Sequence, residues 1–215
     1  MRSQDVIILG LHKPSLVGWS ARSLSTAGEV WTLNDWYWLY PSVRPDRIYQ
    51  CHPPPWVHPD PQRYPGDWRA EYDYAAAHYG SEVWVCHEIP GVRGQRMIPV
   101  DDIEARHEVR ALTCQICLMM AHAMHEGRRS VRLLGVTLSE DEYRYQAAGI
   151  LAMSDALRAA GIAVENPHEQ AWIEREASAP VSFDWSTVGD GLVPYWRRGE
   201  APAVVPHVPY WRADS

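Results

Sequence analysis

The chain has 215 residues, of which 46% are hydrophobic and 22% charged, and this length and composition suit one full-sized globular domain with a tail. No apolar run approaches the ~20 residues that span a bilayer, no signal-peptide core follows the N-terminus, and the four cysteines are scattered, so we expect a reduced, cytoplasmic protein without membrane contact. The net charge of −7 argues against broad nucleic-acid binding, which needs a basic surface.

The first predicted element is a buried strand. Residues 5–14 read DVIILGLHKP, in which a four-residue apolar run is closed by Gly10. Because polar residues do not alternate with apolar ones, the strand is expected to be covered on both faces, as in parallel sheets flanked by helices. The predicted fold class is therefore α/β.

The segment after Gly10 has the form of a ligand loop. It holds the only lysine of the chain, Lys13, and places Ser15 behind Pro14, where a helix can begin. Backbone N–H groups at a helix start bind phosphate, and Lys13 would add a positive charge there. The loop lacks the glycines of a dinucleotide fingerprint and the Gly-Lys-Ser/Thr of a P-loop, so an ordinary strand-to-helix turn explains it equally well.

Three further strands are predicted from short runs of β-branched or aromatic residues, at 29–34, 46–51 and 82–87. Each run ends in a polar pair, and these pairs are Asn34-Asp35, Cys51-His52 and Cys86-His87. In an open α/β sheet ligands bind at the carboxyl ends of the strands. The pairs therefore indicate a ligand site at that edge.

Two of these polar residues are candidate catalytic bases. His52 follows the third strand, and an imidazole with an ordinary pKa can take a proton from a hydroxyl group near neutral pH. Asp35 follows the second strand and suits the same role. Each residue also has a structural alternative: His52 could be hydrogen-bonded to the adjacent proline loop, and Asp35 could cap a turn.

The remaining elements follow from periodicity and turn signals. Helices are predicted at 15–27 and 67–79, with a proline-fixed excursion at 52–66 between strands. The second half is predicted as a turn at 91–94, a long helix at 102–126, a strand at 130–135, a helix opened by the capping box of Ser139 and Glu142 and reaching Ala160, and a last strand at 162–164.

The C-terminal segment loses this periodicity. From residue 176 the chain is rich in Pro, Trp and Gly and contains VPYWR twice. We expect a domain at 1–175 and an extended arm at 176–215, which lies on its own domain or joins subunits into a homo-oligomer.

Several of these elements, taken in order, resemble a known Rossmann-like family. It contains bacterial sialyltransferases that use CMP-sialic acid, the archaeal 6-hydroxymethylpterin diphosphokinase group, and proteins of tailed phages and prophages. The residues that carry the resemblance are Gly10, Pro14, Ser15 and Leu16; Asn34, Asp35, Trp36 and Tyr37; His52 and Pro53; and Thr113, Gly135, Tyr143 and Tyr145. It covers roughly residues 5–175 and implies an open, mostly parallel sheet.

The resemblance also implies a ligand and the residues that hold it. The ligand is a nucleotide or nucleotide-sugar donor. The residues placed around it are Gly10, Ser15, Asn34, Thr113, Tyr143 and Tyr145, with Lys13 added by the loop reasoning above. The chain departs from the family in two respects: Leu11, His12 and Lys13 stand where a second glycine is usual, and no residue matches the catalytic histidine of the sialyltransferase lid.

The cysteines and histidines allow a competing zinc hypothesis. Cys114-x-x-Cys117 and His122-x-x-His125 could combine with the Cys-His pairs at the strand ends, because thiolate and imidazole are preferred zinc ligands. Free cysteines in an apolar helix more often act as small hydrophobic residues, and the two histidines are expected on the wetter side of that helix. A thioredoxin-type motif is not expected, since the residues before Cys114 look helical. No metal site is predicted.

Two functions are therefore expected in this order. The first is a phage-type, glycosyltransferase-like enzyme that binds a nucleotide or nucleotide-sugar at the carboxyl edge of the sheet. The second is a non-catalytic phage or prophage binding protein on the same fold, with the C-terminal arm mediating assembly. A diphosphate transfer is a third possibility, which would need a divalent-metal site.

Overall fold

The protein is described from a computed structural model, which covers residues 4–10, 24, 27–33, 36–39, 42–51, 68–107, 112, 114–138 and 144–178. The strands within these residues are β1 (Asp5–Leu9), β2 (Glu29–Leu33), β3 (Arg47–Gln50), β4 (Glu82–Val85), β5 (Arg96–Met97), β6 (Ser130–Leu134) and β7 (Ala163–Glu165). The helices are α1 (Trp36–Leu39), α2 (Trp68–Tyr79), α3 (Val100–His107), α4 (Gln115–His125), α5 (Arg144–Ala159) and α6 (Glu169–Ser178).

The seven strands form one sheet in the order β5-β4-β3-β2-β1-β6-β7. Every pairing is parallel, and β1 sits in the middle, where Val6 pairs with Glu29 of β2 on one side and Val131 of β6 on the other. The predicted class is confirmed as an α/β, Rossmann-like open parallel sheet. The strand order reverses between β1 and β6, which is the topological switch point of the sheet.

Helices cover the sheet, and the apolar run of β1 explains why. Val6 and Ile8 belong to a core cluster that includes residues of α3, α4 and α5. Ile7 and Leu9 belong to a second cluster with Val30 of β2. Both sets are buried, as the absence of polar alternation predicts for a strand covered on two faces.

The predicted helix at 102–126 is wrong. It is two helices, α3 and α4, and Leu112 between them is not helical. α4 ends at the amino edge of the sheet, where Glu126 lies 2.8 Å from Arg47 at the start of β3, and the last residue of α3, His107, lies beside His125 with 5.7 Å between the rings. α4 starts toward the other end of β3, where Gln115 donates to the Tyr49 carbonyl oxygen, so a single continuous helix cannot include both the end of α3 and the start of α4.

The other predicted elements either differ from the structure in their bounds or lie outside the described residues. Strand β5 and helices α1 and α6 were not predicted, and β2, β3, β4, β6 and β7 differ from their predicted bounds by one or two residues. Of the predicted helix at 15–27, only Leu24 and Ala27 are described, and both are helical. The proline segment at 52–66, the capping box of Ser139 and Glu142, and the arm beyond Ser178 lie outside the described residues.

A search of the described residues for a helix long and apolar enough to traverse a bilayer finds none.

Candidate functional site

The switch point between β1 and β6 is closed by a tight backbone contact. The Gly10 N–H donates to the Leu134 carbonyl oxygen at 2.7 Å, which extends the pairing one residue beyond the strand. A Cβ atom at Gly10 would overlap the Gly135 carbonyl oxygen and lie 2.7 Å from the Val136 side chain. The glycine that the sequence singled out is thus required by packing between the two strand ends.

The chain leaving β6 at this edge has an unusual backbone. Gly135 has φ of +70° and Leu138 has φ of 49°, the left-handed region that L residues rarely adopt. The Thr137 carbonyl oxygen between them accepts a hydrogen bond from the Trp172 indole at 2.8 Å, which anchors the segment to α6. Strained backbone held by its surroundings is a frequent property of ligand-binding loops.

Helix α4 begins at the same edge. Its N-cap residue, Cys114, has extended backbone and makes no side-chain cap hydrogen bond. Gln115 fixes this end to the sheet, because its Nε2 donates to the Tyr49 carbonyl oxygen of β3 at 2.7 Å. Its Oε1 is buried without a hydrogen-bond partner. The helix start supplies positive potential for an anion.

Most of the residues predicted to form the site lie outside the described part of the chain. Those outside are Lys13, Ser15, Asn34, Asp35, His52, Thr113 and Tyr143. Gly10 is described, and Tyr145 is described only as part of the backbone of α5. In sequence, Asn34 directly follows the last residue of β2, and Thr113 directly precedes the N-cap of α4. Their roles stay predictions.

All four cysteines are buried free thiols. Cys114 and Cys117 place their sulfur atoms 3.4 Å apart in the first turn of α4. Burial raises the pKa of the Cys51 and Cys114 thiols well above the usual range, the opposite of what redox or metal-binding cysteines require. Among the described residues, no group of three or more His, Cys, Asp or Glu side chains is arranged to hold a metal ion.

The Cys-x-x-Cys motif nevertheless differs from its prediction. It opens a helix, with Cys114 as N-cap, whereas the sequence indicated helix before it. No strand of the described chain leads directly into it, and both thiols belong to the apolar cluster under α4. The cysteines therefore act as core residues.

Sequence reasoning missed a group of charges at the opposite edge, in which all members except Glu126 are buried. We call it the amino-edge cluster, and its members are Glu29, Arg47, Glu82, Glu126 and Arg128. The Arg47 guanidinium lies 3.6 Å from Glu29, 3.3 Å from Glu82 and 2.8 Å from Glu126, while Arg128 lies 2.5 Å from Glu29 and 2.8 Å from Glu126. The cluster ties the first residues of three strands to the end of α4.

A Tyr-His-Glu chain runs from this cluster into the core. The Tyr49 hydroxyl and His122 Nδ1 are 2.8 Å apart, and His122 Nε2 is 3.5 Å from Glu126. His122 is only 1% exposed, so its expected position on the wetter side of the helix is wrong. This row of three side chains has the residue types of some catalytic sites. Tyr49 and His122 are, however, buried between α4 and the sheet, where a substrate cannot contact them. The i, i+4 spacing of His122 and Glu126 was its sequence signal.

Burial lowers the pKa of His122 to about 4. The titratable and charged groups around it are Tyr49, Glu126, Arg47, Arg128 and His125. The neutral ring accepts a hydrogen bond from the Tyr49 hydroxyl at Nδ1 and directs its Nε2–H toward Glu126, which fixes one tautomer.

We expect His122 to make the fold sensitive to mild acid. The unfolded chain binds a proton at this residue below pH ~6.5, whereas the folded protein does so only near pH 4. Between these values the unfolded state holds more protons, so the free energy of unfolding falls as pH decreases. At pH 5 the loss from this group is about 2 kcal/mol relative to pH 7 or above.

The measurement is urea unfolding at several pH values for the wild type, His122→Gln and His78→Gln. Glutamine can still accept from Tyr49 but does not titrate, so His122→Gln should lose less stability between pH 7 and pH 5 than the wild type. His78 is exposed on α2, and its replacement should leave the dependence unchanged. Equal slopes for the wild type and His122→Gln would contradict the assignment.

Comparison with known proteins gives a likeness of fold. No family model matches the chain, and no curated protein matches it. Among solved structures it is similar to an alpha-2,3-sialyltransferase from Campylobacter jejuni in apo form, with 14% identity and a TM-score of 0.45 over 71% of this chain and 72% of the other.

Two structures described as the sialyltransferase CstII or CST-II are also similar. One is CstII from Campylobacter jejuni with cytidine-5'-monophosphate, at 12% identity and a TM-score of 0.48 over 76% of this chain and 78% of the other. The other is CST-II with a trisaccharide acceptor and CMP, at 12% identity and a TM-score of 0.49 over 74% of this chain and 79% of the other. None of the three is described as a pterin diphosphokinase or a phage protein. The fold class itself rests on the sheet topology.

Proposed function

We propose that the protein binds a nucleotide or nucleotide-sugar at the carboxyl edge of its sheet and transfers a glycosyl group from it. The observation that carries the proposal is the switch point between β1 and β6, because open parallel sheets bind their ligands in the crevice outside such a point. Gly10 and Gly135 directly follow the two strands at this point, and the segment from Gly135 to Leu138, with positive φ at both ends, continues from β6 at the same edge.

The proposed ligand residues follow the described strand ends in sequence. Ser15 and Lys13 would bind phosphate from the loop after β1, and Asn34 would contact the nucleotide from the residue after β2. In sequence, Thr113 precedes the N-cap of α4, a helix whose dipole favours the same negative charge at its start. Tyr143, which precedes α5 in sequence, and Tyr145 within it would donate hydrogen bonds from their hydroxyl groups to phosphate oxygens.

Transfer requires few chemical groups from the protein. The acceptor hydroxyl oxygen forms a bond to the anomeric carbon, the bond from that carbon to the donor phosphate breaks, and the nucleotide leaves with the electron pair. His52 or Asp35 would accept the hydroxyl proton. The phage or prophage setting, the kinship with pterin diphosphokinases and oligomerisation through the C-terminal arm remain predictions beside this proposal.

The test is a thermal-shift screen of the full chain against nucleoside mono-, di- and triphosphates and nucleotide-sugars, with and without Mg²⁺. One class of ligand should raise Tm, because a ligand that binds only the folded state stabilises it. Ser15→Ala and Asn34→Ala should abolish that rise.

Ser130→Ala is the matched control. Ser130 lies at the amino end of β6, where its hydroxyl donates to Asp5 at 2.7 Å, so its replacement should leave the ligand-induced shift intact. If no nucleotide raises Tm at millimolar concentration, the transferase proposal fails and a non-catalytic binding role takes its place.

A further inference from the structure

Two histidines meet where helices α3 and α4 end. His107 is the last residue of α3 and His125 the last residue of α4. Their rings lie 5.7 Å apart between centroids, with an angle of 82° between the ring planes. Both side chains are partly exposed, so the pair is reached from solvent.

Each ring also buries a nitrogen that has no hydrogen-bond partner. These atoms are Nε2 of His107 and Nδ1 of His125. An unpaired buried polar atom costs free energy, and a surface ring could avoid the cost by turning toward water. Two such atoms on adjacent rings are better explained by a shared ligand than by two independent defects.

We propose that His107 and His125 bind a divalent transition-metal ion of the zinc, nickel or copper class through these two nitrogens. Imidazole suits these ions, and metal–nitrogen distances of about 2.1 Å at a tetrahedral or wider angle place the ring centroids about 5–6 Å apart. The observed separation of 5.7 Å fits that geometry. Water completes the coordination, since two protein ligands leave positions open.

The electrostatic setting favours a cation at this point. The carboxyl ends of two helices meet here, and each end carries partial negative charge from the helix dipole. Arg106, next to His107 in the last turn of α3, is the neighbouring positive charge in sequence. The site is separate from the carboxyl edge, where the proposed nucleotide site and the four cysteines lie.

The proposal departs from the expectation of no metal, and sequence spacing could not have revealed it. His107 and His125 are separated by seventeen residues and were both assigned to one continuous helix, which would have placed them far apart. Only the break between α3 and α4 makes the two helices end side by side.

The first experiment is calorimetric titration of the tag-free full chain with Zn²⁺, together with Co²⁺ absorption. We expect saturable binding of one ion and a Co²⁺ spectrum without the intense near-ultraviolet band of thiolate ligation. His107→Asn and His125→Asn should each weaken binding by at least about tenfold, the loss that removal of even an outer-shell partner can cause. His78→Asn, on the exposed face of α2, should bind as the wild type does.

Three results would overturn the proposal. They are no saturable binding at millimolar Zn²⁺, affinity unchanged in both histidine variants, and a thiolate band that assigns the ion to the cysteines. Circular dichroism of each variant separates loss of a ligand from loss of the fold. Because the readout is metal binding alone, failure here leaves the nucleotide proposal untouched.

Discussion

Replacing Arg47 by methionine is expected to lower the free energy of unfolding by about 3–5 kcal/mol. The Arg47 side chain is 3% exposed and lies within 3.6 Å of three carboxylates, those of Glu29, Glu82 and Glu126. Methionine fills much of the volume but leaves these charges buried with fewer partners. Breaking a buried ion pair from one side costs more than the pair contributes, because the remaining charge stays desolvated.

Arg96→Met is the matched control for this prediction. Arg96 pairs with the same Glu82 at 3.0 Å, but its side chain is 55% exposed, so solvent screens the pair and the expected loss is at most about 1 kcal/mol. Urea unfolding of both variants at pH 7 provides the comparison. Equal losses would show that burial does not set the energy of the amino-edge cluster.

A double variant tests whether the carboxylates left by Arg47→Met cause the loss of stability. Glu126→Gln in the Arg47→Met background neutralises a carboxylate that lost one of its two arginine partners, so it should restore part of the stability. No recovery would mean that Arg47 acts through packing, since its guanidinium also lies 4.6 Å from the Trp31 ring and 5.2 Å from the Trp84 ring.

The sequence predicts the sheet well because its strands are apolar runs bounded by polar residues. β1 and β6 read directly as buried strands. β5 was missed, since Arg96 and Met97 are only two exposed residues and carry no periodic pattern. The break before α4 was missed because the residues on both sides of it are helical. Only the packed fold shows that α3 and α4 end side by side, which a single helix does not allow.

The amino-edge cluster shows why charges are hard to place from sequence. Glu29, Arg47 and Glu82 each stand at the start of a strand, where a charged residue normally faces solvent. They come together only when β2, β3 and β4 align in parallel, and Glu126 reaches them from the end of α4. Sheet order and register, which local patterns do not contain, decide that these charges are buried.

The carboxyl edge of the sheet, unlike the amino-edge cluster, was indicated by the sequence. The polar pairs after the strands indicated this edge from sequence, because parallel strands all end on the same side of a sheet. What the sequence could not give is which backbone segments touch there. Gly10 was assigned to ligand binding, and the structure adds a packing reason for glycine at this position.

That packing reason leads to a second large effect, for Gly10→Ala. The new methyl group would overlap the Gly135 carbonyl oxygen, and backbone on both sides leaves it little room to shift. Overpacking of this kind costs about 1–3 kcal/mol, and we expect the upper end because the Gly10 N–H to Leu134 hydrogen bond would also be stretched. Chemical unfolding measures the loss.

Gly94→Ala separates this clash from the general effect of replacing glycine. Nothing lies within 4 Å of a Cβ atom there, but φ is +67°, so the expected cost is about 1 kcal/mol of backbone strain alone. Gly10→Ala should exceed it and should lower nucleotide affinity as well, because the strand ends that frame the crevice would move apart. If Gly10→Ala keeps full stability and loses only ligand binding, glycine serves the approach of phosphate, and the packing explanation is wrong.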